Sequence, residues 1–154
     1  MKTWTGMVAG IAAAAVAMTP VTAGAVTSYE AEQIRKLDIM LMVTSLRCRM
    51  GKDDFQPHYR KFSAAHLTAL NGAARTLENG LVARHGRKGA KRALDRISVG
   101  MANQYGQGHP WLECRDLKTI TDDLSKSRAP ADLTLAADEL LASAPKRGGR
   151  FAAR

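Results

Sequence analysis

The stretch Phe55–Gly86, FQPHYRKFSAAHLTALNGAARTLENGLVARHG, decides the fold. Phe55, Tyr59, Phe62, His66, Leu70, Ala73, Leu77 and Leu81 recur at steps of three and four. That is the period of one face of an α-helix, and the residues between them are mostly polar, charged or small. The spacing predicts one amphipathic helix from about Pro57, where a proline ring suits the first helical position, to about His85, with Gly86 as its C-terminal cap. Gly72 and Gly80 interrupt it, each at roughly 1 kcal/mol relative to Ala, a cost consistent with close helix packing or a bend.

Outward from this stripe every periodic segment reads as helix, and none alternates as a strand would. Upstream, Thr27-x-x-Glu30 is a capping box that opens a helix reaching about Met50, where Gly51 stops it. Ile34, Leu37, Leu41 and Cys48 share one face of it, and Ile39 to Val43 is apolar all round, so this helix belongs in the middle of a bundle. Downstream, a third helix covers about Gly89 to Tyr105. Ala90, Leu94, Ile97, Met101 and Tyr105 face one way, and Lys88, Lys91, Arg92 and Arg96 the other. Gly106-Gln107-Gly108 breaks the chain, and Pro110 starts a fourth helix carrying Cys114, Leu117, Thr121 and Leu124 on its apolar face. Ala129-Pro130 separates a last helix striped by Leu133, Ala136, Ala137 and Leu140. The expected fold is all-α: a compact bundle of four or five helices over residues 26–144 with one disulfide.

The chain has 154 residues and a formal charge of +9. Residues 1–25 read as a signal peptide: Lys2 is the positive flank, Met7 to Met18 the apolar run, Pro20 the breaker and Ala23-Gly24-Ala25 the cleavage site. Cleavage there leaves no span long enough for a bilayer and predicts a periplasmic or secreted protein. Export places Cys48 and Cys114 in an oxidising compartment, where two cysteines allow one intramolecular pairing; free thiols or a metal pair are the competing readings. The bridge would tie the end of the first helix to the start of the fourth.

The charge is polarised. Residues 47–96 hold twelve basic and four acidic side chains, whereas residues 97–144 hold four basic and seven acidic ones. Residues 145–154 add Lys146, Arg147, Arg150 and Arg154 around Gly148-Gly149, with Phe151 as the one large apolar residue. Without periodicity, this segment is expected to be a disordered basic tail.

Three further stretches bear on identity: LMVTSLRCRMGKDDFQPHYRKF (41–62), ALDRISVGMANQY (93–105) and GQGHPWLEC (106–114). Together they resemble a group of small exported two-cysteine helical proteins of alphaproteobacteria, mostly uncharacterised. The resemblance covers most of the chain after the signal segment, excluding the tail. It implies an extracytoplasmic location and supplies no catalytic residue.

Two constellations could carry function. Arg84, Arg87, Lys88, Lys91, Arg92 and Arg96 lie across a glycine-rich turn and the following helix. Dense cations suit phosphate and sulfate, which Arg grips with two parallel hydrogen bonds. In an exported protein the fitting partners are anionic envelope components: lipopolysaccharide, anionic lipid or acidic polysaccharide. Aromatics do not interleave the cluster, which argues against nucleic acid. The bland alternative is a solvated polar face. The second constellation is His109, Trp111 and Glu113, a ligand platform in which Trp111 stacks on an apolar face and the imidazole and carboxylate handle protons. Its bland alternative is a tight turn packed on the disulfide.

Other residues point to packing. His66 sits in the centre of the stripe and reads as a core histidine with a hydrogen-bond partner. Met40, Met42, Met50 and Cys48 are soft ligands, but Met40 and Met42 project to opposite sides of a helix, which disfavours copper. No nucleophile elbow or phosphate loop occurs, so no catalytic residue, metal or cofactor is expected. The leading expectation is an exported cell-envelope binding or structural module acting through its basic face. The alternatives are a small-ligand binder or hydrolytic enzyme centred on Gly106 to Cys114, and a periplasmic chaperone or protein inhibitor acting through an uncovered apolar patch at Met42 and Leu46.

Overall fold

The structure, a computed structural model, describes residues 26–151. The expected signal peptide, residues 1–25, lies outside the described residues. Five helices follow one another: α1 (Ser28–Cys48), α2 (Gln56–Ala65), α3 (Leu67–Tyr105), α4 (Cys114–Lys126) and α5 (Pro130–Leu140). There is no strand among the described residues, so the all-α bundle is what forms.

The capping box at the start of α1 is present. The Glu30 backbone N–H donates to Thr27 Oγ1 at 3.2 Å, and the Thr27 N–H donates to the Glu30 carboxylate at 2.8 Å. That reciprocal pair satisfies donors the helix leaves unpaired. Leu37, Met40 and Leu41 are fully buried, and α1 packs against all four other helices. The helix is therefore central, although Met42 in its all-round apolar stretch stays exposed. Thr44 sits in the same core because its hydroxyl donates back to the Met40 carbonyl at 2.7 Å.

The helix expected over 57–85 is broken at His66, which has φ −109° and ψ 14°. The ladder still closes around it: the His66 N–H donates to the Phe62 carbonyl, and the Leu70 N–H to the His66 carbonyl. The imidazole Nε2 donates to the Leu124 carbonyl of α4 at 2.8 Å and pins the break to the neighbouring helix. At the other end, Gly86 has φ +66° and ψ 171°, a conformation open to glycine alone. It divides α3 into two arms, residues 67–85 and 87–105, which correspond to the end of the second expected helix and to the third. Gly80 permits a close approach: a Cβ there would lie 2.9 Å from the Ser28 hydroxyl at the start of α1.

Cys48 and Cys114 form a disulfide with their Cα atoms 5.8 Å apart. It joins the last residue of α1 to the first of α4 across 66 positions of sequence. No helix among the described residues is long and apolar enough to cross a membrane.

The expectation of a disordered tail is corrected for residues 145–151. Phe151 is buried in the core cluster. The N–H groups of Arg150 and Phe151 donate to the buried Glu139 carboxylate at 3.0 and 2.8 Å. Arg150 pairs with Asp132 at 3.0 Å, and Lys146 pairs with Asp138. The segment is held because α5 presents acidic side chains that need donors, and the tail supplies both backbone and side-chain ones.

Candidate functional site

The second arm of α3 turns its apolar residues inward. Ala90, Ala93, Met101 and Tyr105 are buried, and Leu94 and Ile97 pack at the edge of the core. Helical spacing then leaves Lys88, Lys91, Arg92 and Arg96 on the opposite face. The corner at Gly86 carries Arg84 and Arg87 beside them, and all six cations are exposed. Among the described residues none of the six has an acidic partner within ion-pair distance. Arg84 spends one donor, Nε, on the Gly80 carbonyl at 3.2 Å and keeps the outer edge of its guanidinium free.

The two arms enclose a cleft of about 460 Å³. Arg87 and Lys91 line it, with Val82 and Leu94 as its apolar wall and Glu78 on the opposite side. Arg96 belongs elsewhere, in a depression of about 500 Å³ beside Lys36 and Gln33 of α1. The structure thus brings Arg87 and Lys91 together and sets Arg96 apart. Cations of one sign around a concave surface concentrate anions there, in a salt-dependent way.

The segment Gly106–Cys114 is organised differently. His109 Nε2 donates to the Leu140 carbonyl at 2.8 Å, and its Nδ1 accepts from the Trp111 N–H at 3.4 Å. The imidazole stacks on Tyr105 at 5.5 Å and meets the Trp111 ring edge-on at 4.9 Å. Burial pushes the His109 pKa down, against the Leu140 carbonyl, which favours the protonated ring. Trp111 Nε1 donates to the Ala142 carbonyl at 2.9 Å. Glu113 is the N-cap of α4, and its backbone N–H donates to the Asp116 carboxylate at 3.1 Å. Both ring nitrogens of His109 and the indole N–H are therefore engaged within the protein, while the Glu113 carboxylate is exposed. Together the two rings clip the end of α5 to the α3–α4 connection.

The apolar residues on α1 that sequence reading singled out are uncovered: Met42 is 39% and Leu46 44% exposed, with Met50 further along at 88%. His66 is buried, with its ring 5.1 Å from that of Phe62.

Sequence reading missed a groove of about 890 Å³ between the first arm of α3 and the start of α5. Its floor is made by Ala69, Gly72 and Ala73. Small residues on a helix face ordinarily signal tight packing, so nothing in the sequence distinguished a covered face from an open one. Comparison with protein-family models, curated proteins and solved structures finds no match to this chain.

Proposed function

We propose that this protein is an exported cell-envelope module that binds polyanionic surface material through the basic corner at Gly86. The observation that carries the reading is the set Arg84, Arg87, Lys88, Lys91, Arg92 and Arg96, all exposed and without acidic partners among the described residues. The shared chemistry of the partners is a dense array of phosphate, sulfate or carboxylate groups, as in lipopolysaccharide, anionic lipid or acidic polysaccharide. Export is supported by the leader-like residues 1–25, the Cys48–Cys114 bridge and the resemblance to exported two-cysteine helical proteins. The direct test is co-sedimentation with phosphatidylglycerol vesicles, lipopolysaccharide and alginate at low and high salt. Binding is expected to fall with salt, and to drop roughly tenfold or more in the triple variant Lys88→Glu, Lys91→Glu, Arg92→Glu. Unchanged binding by that variant overturns the reading.

A second reading, a periplasmic chaperone or protein inhibitor, draws on the uncovered Met42, Leu46 and Met50 of α1. Met42→Ser with Leu46→Ser is expected to abolish suppression of aggregation of an unfolded client. No suppression by the unaltered protein sinks it.

A further inference from the structure

The groove between α3 and α5 is built as a site. Its walls come from three elements: Ala69, Gly72 and Ala73 on α3, Ile34 on α1 and Leu133 on α5. They give an apolar channel within the size range of small-molecule pockets. The stretch of α3 that lines it, from Thr68 to Thr76, rises about 12 Å at 1.5 Å per residue, the reach of an extended acyl chain of roughly ten carbons.

One end of the channel is polar, and two side chains make it so. His66 lines the groove and is 5% exposed. Its Nε2 is committed to the Leu124 carbonyl, which can only accept, so Nε2 carries a hydrogen. Among the described residues Nδ1 has no hydrogen-bond partner. Every fully sealed side-chain nitrogen or oxygen among the described residues does have one, so Nδ1 is not fully sealed, on a residue that lines the groove. Arg128 lies at the same end, because both residues are anchored to the last turn of α4. Its Nη1 reaches the carbonyls of Ser125 and Ser127 at 3.3 Å each, and among the described residues Arg128 pairs with no carboxylate. Two carboxylates lie near this end: Glu30 is occupied by the N–H and hydroxyl of Thr27, and Asp132, close enough to His66 to interact with its charge, is held by the Ser127 hydroxyl and Arg150. The polar end therefore offers an unmatched cation and an unmatched imidazole nitrogen at the mouth of an apolar channel.

We infer that this groove binds a single-chain carboxylate amphiphile, a free fatty acid of medium length, with its chain over Gly72 and its head between His66 Nδ1 and Arg128. A carboxyl head suits His66 because the contact forms whichever partner holds the proton, as O–H to nitrogen or as N–H to carboxylate. Arg128 supplies the charge that a neutral head cannot use. The site is separate from the basic corner and does not rest on it.

Gly72 provides the decisive variant. A Cβ added there meets nothing within 4 Å, so a side chain at this position starts into open space on the groove floor. Leucine is also a better helix former than glycine, so Gly72→Leu keeps or raises the melting temperature. Dodecanoate, titrated by calorimetry below its micellar range, is expected to saturate at one molecule per chain. Gly72→Leu weakens it roughly tenfold or more, since the side chain takes the ligand's space. Arg128→Gln weakens dodecanoate about threefold or more and leaves dodecan-1-ol unchanged. The triple charge reversal at Lys88, Lys91 and Arg92 leaves dodecanoate binding as it was. Non-saturating uptake, or undiminished binding by folded Gly72→Leu, overturns the site. Equal loss of dodecanoate and dodecan-1-ol in Arg128→Gln overturns the assignment of the head.

Discussion

The corner at Gly86 and the segment Gly106–Cys114 are both short, both contain glycines and both are rich in side chains able to act on a ligand. At the corner six cations extend into solvent without acidic partners among the described residues. In the segment His109 and Trp111 spend their polar side-chain atoms on the Leu140 carbonyl, the Trp111 N–H and the Ala142 carbonyl, and Glu113 caps α4 through its backbone. The side chains of the segment are the more specialised, yet both ring nitrogens of His109 and the indole N–H of Trp111 are already engaged. Function follows from unspent hydrogen-bonding and charge capacity, and stability follows from capacity that is spent. Substitutions in the two regions should therefore move different observables.

The largest effect belongs to the covalent link beside the committed segment. Replacing Cys48 and Cys114 by Ser frees a loop of 66 positions in the unfolded chain. The chain-entropy account puts the loss at about 4 kcal/mol, read as a lower urea midpoint. Trp111→Ala comes next. It removes a half-buried ring and leaves the Ala142 carbonyl without its indole donor, so a loss of about 2–3 kcal/mol is expected in the same assay. Anionic-vesicle binding should survive that substitution. Loss of binding with little loss of stability would break the comparison, because Trp111 would then be acting on a ligand.

The helical faces were legible because period survives packing. Leu77 and Leu81, spaced by four, are buried as the stripe requires. The break at His66 was not legible, because α2 and α3 keep their apolar residues in one phase through it. At the break the His66 side chain bonds to Leu124, 58 residues away, and local pattern carries no information on such a contact. The docking of residues 145–151 was hidden for a related reason. Glu139 is buried because backbone N–H groups of Arg150 and Phe151 satisfy it, and backbone donors leave no mark on composition. At the sites, sequence located the basic cluster but not which of its members share a cleft. The residues of the α3–α5 groove stayed invisible because Ala69, Gly72 and Ala73 look alike whether covered or open.

Gly86→Ala tests the corner as backbone. At φ +66° and ψ 171° a Cβ is strained, and a cost of about 1–3 kcal/mol is expected in thermal unfolding. Unlike Trp111→Ala, this change should also alter polyanion binding, since the angle between the arms sets the cleft that holds Arg87 and Lys91.

A smaller, pH-dependent effect marks the committed segment. Burial lowers the His109 pKa in the folded protein below its value in the unfolded chain. The unfolded state then takes up the proton first as pH falls below about 6.5, so it binds more protons and is favoured. The stability His109 contributes is complete above that pH and is lost as pH falls through the folded-state value. Melting temperatures measured from pH 7.5 down to 5 should fall in the unaltered protein and fall less in His109→Gln, which removes the titrating ring. Equal slopes would detach His109 from the linkage.

The smallest expected change in stability comes from the region with the largest expected change in binding. Lys88→Gln, Lys91→Gln and Arg92→Gln remove exposed cations that have no acidic partner among the described residues. Each should shift the unfolding free energy by no more than about 0.5 kcal/mol. Because the neighbours they leave are also cationic, the combined change should tend toward stabilisation, and more so at low salt, where repulsion is least screened. A clear loss of stability would mean that these side chains are spent inside the protein after all, and the corner would then be a second instance of the segment rather than its opposite. An unchanged melting temperature together with lost, salt-sensitive binding is the one combination that a purely solvated face cannot produce.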